Sequence, residues 1–126
     1  MKNILIISAS PRRNGNSDLL CREFERGALE AGNKVEYVNL CDHKFSYCLG
    51  CYACAKLGKC FQNDGYNELF EKVLKADVLV MATPVYFYSM DGQLKVFIDR
   101  TVQRYTEIKS DIYIFHHGLG SGCEPS

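Results

Sequence analysis

Asn3-Ile4-Leu5-Ile6-Ile7-Ser8-Ala9-Ser10-Pro11-Arg12-Arg13-Asn14-Gly15-Asn16-Ser17 is a short apolar run that breaks abruptly into a polar, glycine-containing loop. Residues 3–7 read as a buried parallel strand, because continuous β-branched and leucine runs of this length suit a strand covered on both faces. The loop Ser8 to Ser17 then delivers the chain to a helix start. Backbone N–H groups at such a start make an anion site without any metal. Ser10, Asn16 and Ser17 add side-chain donors, Gly15 permits a tight backbone approach, and Arg12 or Arg13 supplies positive charge. The loop is not a Walker loop, since no Gly-Lys-Ser/Thr is present. It also lacks the G-x-G-x-x-G of a dinucleotide fingerprint. A polar turn with a good helix cap is the plainer alternative.

Outward from this stretch the chain alternates in type. Residues 17–31 form a helix with Asn16 or Ser17 as cap, Asp18 in its first turn, and Leu20, Phe24 and Ala28 on one face; Gly32 ends it. Lys34 to Leu40 is a second strand near an edge, with Val35 and Tyr37 on one face and Val38 and Leu40 on the other. Residues 41–63 show no clear period. Asp64 caps a helix through Ala76, with Leu69, Phe70, Val73 and Leu74 inward. Asp77 to Thr83 is a central, β-branched strand. Pro84 to Ser89 is an aromatic loop. Met90 to Tyr105 is a helix with Leu94, Phe97, Ile98, Val102 and Tyr105 on one stripe. Asp111 to Phe115 is a fourth strand, and the glycine-rich tail has no helix pattern. Strands alternating with helices predict an α/β fold, a parallel sheet between two helical layers. Such sheets bind ligands beyond the carboxyl ends of their strands. That points to 8–17, 83–90 and 116–122.

Bulk composition narrows the classes. With 126 residues the chain is expected to be one domain, 1–126, with a cysteine-rich insertion at 41–63. Fifteen basic and fifteen acidic residues cancel, which argues against nucleic acid or an anionic membrane as partner. No apolar run reaches transmembrane length. The apolar start is too short for a signal peptide, so the expected location is the cytoplasm, where clustered thiols mean metal or redox chemistry more than disulfides.

Cys48, Cys51, Cys54 and Cys60 are spaced C-x2-C-x2-C-x5-C. Three readings fit them: a [4Fe–4S] cluster, a zinc site, or free thiols that cycle as a dithiol or close a disulfide. The run differs from the bacterial ferredoxin pattern, and structural zinc more often uses two separated pairs. Cys21 and Cys41 read as ordinary semi-buried cysteines, and Cys123 as incidental.

Three segments together, Ser8–Ser17, Pro84–Met90 (PVYFYSM) and Leu94–Arg100 (LKVFIDR), resemble the flavodoxin-like NAD(P)H-dependent FMN reductases, and within them the iron–sulfur flavoproteins. The resemblance implies FMN. Its phosphate would lie on the loop opened by Ser8, against Ser10, Arg12, Asn16 and Ser17; Pro84, Val85, Tyr86, Phe87 and Tyr88 would wrap the isoalloxazine ring. It also implies that the four cysteines hold a [4Fe–4S] cluster, that a nicotinamide or ferredoxin-type donor supplies electrons, and that the protein is a homo-oligomer, dimer or tetramer. A flavodoxin-like domain has five strands in the order 2-1-3-4-5, whereas this chain is expected to stop after its fourth, as a truncated member with an open sheet edge. No acid–base machinery is visible: Asp99-Arg100 reads as a solvated or structural ion pair, His116-His117 as surface more than ligands, and Gly118-x-Gly120-x-Gly122 lacks the helix a phosphate loop needs. The competing reading is a non-catalytic domain whose cysteines bind zinc or form disulfides.

Overall fold

In the computed structural model, residues 1–12, 15–86 and 89–117 are described, with the side chains of 85, 86 and 115–117 left aside. Among the described residues, four parallel strands form the sheet: β1 (Asn3–Ser8), β2 (Lys34–Asn39), β3 (Val78–Tyr86) and β5 (Asp111–His117), in the order β2-β1-β3-β5. A two-residue strand, β4 (Ser89–Met90), folds back antiparallel on the end of β3. The parallel order is the one a flavodoxin-like fold requires of its first four strands. The helices are α1 (Asn16–Glu30), α2 (Cys54–Leu57), α3 (Tyr66–Lys75) and α4 (Gly92–Asp99).

The alternation of the strands divides the core. Ile4, Ile6, Val78, Val80 and Ala82 face α1, where Cys21, Phe24 and Ala28 meet them together with Val35 and Tyr37 of β2. Leu5, Ile7, Leu79 and Met81 face the other way, against Tyr66, Leu69, Phe70 and Val73 of α3 and Leu94 and Phe97 of α4. Two helical layers therefore sandwich the sheet. The opposed faces expected for β2 are found: Val38 and Leu40 pack on the second cluster. On β5, Ile112, Tyr113 and Ile114 are each about half exposed.

Five local expectations are corrected. Asp64 does not cap α3: the cap is Gly65, in the left-handed region and without a side-chain capping bond, and Asp64 Oδ1 accepts from the Tyr66 N–H at 3.4 Å. Neither Asn16 nor Ser17 caps α1: Gly15 is the cap, in extended conformation, and gives no side-chain hydrogen bond. Leu20 is exposed, and Cys21 takes the inward position one turn before Phe24; Phe24 and Ala28 face the core as expected. The segment 84–89 is not simply a loop, since β3 continues to Tyr86 and pairs Val85 with Met90 and Tyr86 with Ser89. Finally, the helix expected over 90–105 ends at Asp99 and continues as two short 3-10 turns, Arg100–Gln103 and Tyr105–Glu107, which leave Val102 and Tyr105 exposed. By contrast, α1 stops at Gly32 as read: its φ of +88° is cheap only for glycine, and the N–H of Asn33 returns to the Ala28 carbonyl.

Candidate functional site

Parallel strands end on the same edge, and the register places Ser8 of β1 opposite Ala82 of β3, with Thr83 and Pro84 opposite His116 and His117 of β5. From β1 the chain goes outward to β2, then returns past β1 to β3. The crevice between the ends of β1 and β3 is thus the switch point of the sheet.

The loop after β1 lies in that crevice. Ser8, Ser10 and Ser17 are buried, while Arg12 is exposed. The Ala9 N–H bonds the Ala82 carbonyl at 2.8 Å, so the loop begins as a continuation of the β1–β3 ladder. Ser10 Oγ accepts from the Arg12 N–H at 3.2 Å, and the Gly15 N–H reaches the Arg12 carbonyl at 3.3 Å. This tight turn leaves little room: a Cβ on Gly15 would stand 3.2 Å from the Arg12 carbonyl oxygen. The turn leads to the amino terminus of α1, whose cap residue contributes no side-chain hydrogen bond. A helix amino terminus and three buried hydroxyl side chains suit a phosphate group. Arg13 and Asn14 lie outside the described residues.

Sequence reasoning missed the brace of this loop. Asn39 ends β2 and is 2 % exposed. Its Nδ2 donates to the Ser10 carbonyl at 3.3 Å, and its Oδ1 accepts from the Cys41 N–H at 2.8 Å. Below the loop, the Tyr37 hydroxyl donates to the buried Asp18 carboxylate, and the Arg22 guanidinium lies 3.7 Å from the centre of the Tyr37 ring. Burial, reinforced by that hydrogen bond, raises the Tyr37 pKa. Burial beside Asp18 pushes the Cys21 thiol up to about 11, so it is a packing residue and not a nucleophile.

Across the crevice, Thr83 and Asp91 fix the β3–β4 turn. Thr83 Oγ1 accepts from the Asp91 N–H at 3.0 Å and donates to the Pro84 carbonyl at 2.8 Å. Asp91 in turn caps α4 through the Leu94 N–H at 3.0 Å. Its burial raises its pKa, and Oδ2 has no partner among the described residues. Pro84 is half-buried at the strand end, and Val85 and Tyr86 follow it on the backbone of β3. Phe87 and Tyr88, named for the ring site, lie outside the described residues, as do Gly118, Gly120, Gly122 and Cys123.

The four clustered cysteines form a second feature. Cys48, Cys51, Cys54 and Cys60 are all free thiols and line one small cavity with Arg100 and Gln103. Among the described residues, no three of the side chains converge at single-ion distance. The loop is sharply turned: Gly50 and Tyr52 have φ of +67° and +60°, and the second is uncommon for a bulky residue. The Gly50 N–H points to Cys48 Sγ at 3.4 Å. Cys60 is held by its N–H to Gln103 Oε1 at 3.1 Å and by its carbonyl to Asn67 Nδ2 at 2.9 Å. Four unpaired thiols with backbone and guanidinium donors around them suit an anionic thiolate-ligated group.

Arg100 is where the expected Asp99–Arg100 ion pair fails. Asp99 instead pairs with Lys95, one turn back on α4. Arg100 is 1 % exposed and pairs with Asp64 at 2.6 Å. Burial alone would raise the Asp64 pKa, but the Arg100 and Ser46 hydrogen bonds bring it below the usual value. No periodicity marks these partners, because they are 36 residues apart and meet only when α3 packs beside α4. A separate cavity of about 540 Å³ at the opposite edge, lined by Asn3, Lys34 and Lys75 among others, is remote from both features.

The sequence and the fold have counterparts in known proteins. The sequence profile of the NADPH-dependent FMN reductases matches residues 2–116. An iron–sulfur flavoprotein of Methanocaldococcus jannaschii is 38 % identical over 78 % of this chain and 51 % of its own length. One of Clostridioides difficile is 37 % identical over 77 % of this chain and 44 % of its own. The chain thus spans about half the length of the curated relatives it matches. Among solved structures, a flavone reductase superimposes with a TM-score of 0.64 at 29 % identity over 81 % of this chain and 30 % of that one. An NAD(P)H:acceptor oxidoreductase of Paracoccus denitrificans reaches 0.70 over 92 % of this chain and 60 % of its own, and at 17 % identity speaks to the fold alone. With the flavodoxin-like strand order and a profile match over nearly the whole length, the chain belongs to the NADPH-dependent FMN reductase family.

Proposed function

We propose that the chain is an FMN-dependent oxidoreductase that passes electrons from a reduced donor to an acceptor. The observation that carries this is the serine-lined turn running into the amino terminus of α1 at the sheet's switch point. Ser8, Ser10, Arg12, Asn16 and Ser17 would hold the FMN phosphate: Arg12 by charge, Ser10 and Ser17 by hydroxyls, and Asn16 and Ser17 by first-turn N–H groups. The ring would lie along Pro84, Val85, Tyr86, Phe87 and Tyr88. A flat face of that size suits stacking and backbone hydrogen bonds from a strand end.

Bound FMN supplies the conversion between two-electron transfer from a nicotinamide and one-electron steps. The family assignment supports a nicotinamide donor; a ferredoxin-type protein is the other donor chemistry this reading admits. Cys48, Cys51, Cys54 and Cys60 would hold a [4Fe–4S] cluster as a second centre, a reading supported by their shared cavity and by the names of the relatives. In this reading the protein is a single domain with its cysteine insertion at 41–63, works as a homo-oligomer, and resides in the cytoplasm. Among the described residues no helix is long and apolar enough to cross a membrane.

Visible absorption of anaerobically purified protein tests the proposal. Flavin bands near ~370 and ~450 nm with a broad ~420 nm shoulder are expected, because each cofactor keeps its own chemistry. A colourless protein that also fails to take up added FMN sinks it.

A further inference from the structure

We propose that Arg100 is a positioning residue that closes the base of the cysteine loop and holds the reduction potential of its cluster up. The inference rests on the reading of the four cysteines as cluster ligands. Arg100 sits where α4 gives way to its first 3-10 turn, and its guanidinium serves both ends of the cysteine segment. Nη1 donates to the Ser46 carbonyl at 3.1 Å, just before Cys48, and to Asp64 Oδ2 at 2.6 Å, just after Cys60. The same Asp64 oxygen accepts from the Ser46 N–H at 2.9 Å, so the two ends are joined directly as well. Nη2 points into the cysteine cavity and donates to Cys60 Sγ at 3.3 Å. Tyr66 backs the group, with its ring centre 4.4 Å away and its hydroxyl anchored on the Phe97 carbonyl at 2.7 Å.

The electrostatic consequence follows from sign and burial. Each electron that enters a thiolate-ligated cluster adds one negative charge. A guanidinium at 1 % exposure is poorly screened, and it donates to one of the ligating sulfurs. Net charge and hydrogen bonds to sulfur are the levers that set cluster potentials. Arg100 therefore favours the reduced state. Asp64, with a side chain 19 % exposed, offsets part of that charge.

The test is a dye-mediated potentiometric titration of anaerobically purified full-length protein, followed by electron paramagnetic resonance, with iron and acid-labile sulfide counted on every sample. Arg100→Gln is expected to lower the one-electron equilibrium constant for cluster reduction at least tenfold, about 59 mV. Arg100→Lys, which keeps the charge without the fork, falls by less. Asp64→Asn shifts the potential the opposite way. A purely structural role for Arg100 would not give shifts of opposite sign. If Arg100→Gln fails to retain iron, Arg100→Lys and Asp64→Asn decide: opposite shifts support the proposal, and unchanged or same-direction shifts overturn it. Wild-type iron loading with unchanged potentials overturns this proposal alone. Wild-type protein that binds FMN but no iron overturns the cluster reading and this proposal together.

Discussion

Replacing Asn39 with alanine probes the loop that carries the proposed phosphate site. The side chain is 2 % exposed and makes two hydrogen bonds, to the Ser10 carbonyl at 3.3 Å and from the Cys41 N–H at 2.8 Å. Each contributes about 1 kcal/mol net, and the groups left behind lose their partners in a site with little access to water. Truncation is therefore expected to cost about 2–4 kcal/mol. For a chain of this size that lowers Tm by roughly 6–15 °C, read by circular dichroism on protein without added flavin. The same change frees the backbone at Ser10, so FMN affinity should fall by on the order of tenfold, a loss of about 1.4 kcal/mol. Asn39→Asp keeps the acceptor for Cys41 and should lose less stability. A Tm within about 1 °C of wild type would refute the reasoning, because a buried brace cannot be removed at so small a cost.

Ser17→Asp places a carboxylate in the first turn of α1, beside the proposed phosphate. At an effective dielectric of about 20 and a separation of about 6 Å the repulsion is about 3 kcal/mol per charge pair, so FMN Kd should rise on the order of a hundredfold; unchanged affinity would mean that the phosphate lies elsewhere. Asp64 governs part of the acid limb of stability. Burial opposes its ionisation, but Arg100 and Ser46 outweigh that and hold its pKa below the usual 3.8. The unfolded chain thus binds more protons in that window, so the contribution is complete above the usual value and is lost as pH falls through the lowered one. Urea unfolding across the acid range should show a shallower loss in Asp64→Asn than in wild type. Among the described cysteines, thiol alkylation at about pH 8, followed by mass spectrometry on metal-free protein, should label exposed Cys51 first and Cys21 last, since Cys21 is fully buried and its thiol is pushed up to about 11.

The sheet was legible because its residues are of one kind. Ile4–Ile7 and Val78–Ala82 are buried, and a run of β-branched and aliphatic side chains has few other stable destinations. Lys34 to Leu40 was equally readable, since its alternation matches two separate cores. The loop after β1 could be placed from its serines and glycine, but not the support beneath it: Asn39 acts across 29 residues of sequence, and no local pattern encodes that. The same holds at the far edge of the crevice. The aromatic run 84–89 looked like a loop, yet the backbone of β3 finds partners in Ser89 and Met90 and stays extended to Tyr86. For Asp99-Arg100, adjacency suggested a pair. Successive residues on a helix point about 100° apart, so each finds a partner elsewhere: Asp99 on its own helix, Arg100 at the cysteine loop.

The most direct test of the account compares FMN with riboflavin in equilibrium titrations of the cofactor-free protein. The two ligands share the ring and differ by the phosphate, so their affinity ratio isolates the loop Ser8 to Ser17. Charge-assisted hydrogen bonds from Arg12, the buried hydroxyls and the amino terminus of α1 predict that FMN binds tighter by on the order of a hundredfold or more. Equal affinities, or no binding of either, would contradict the central claim.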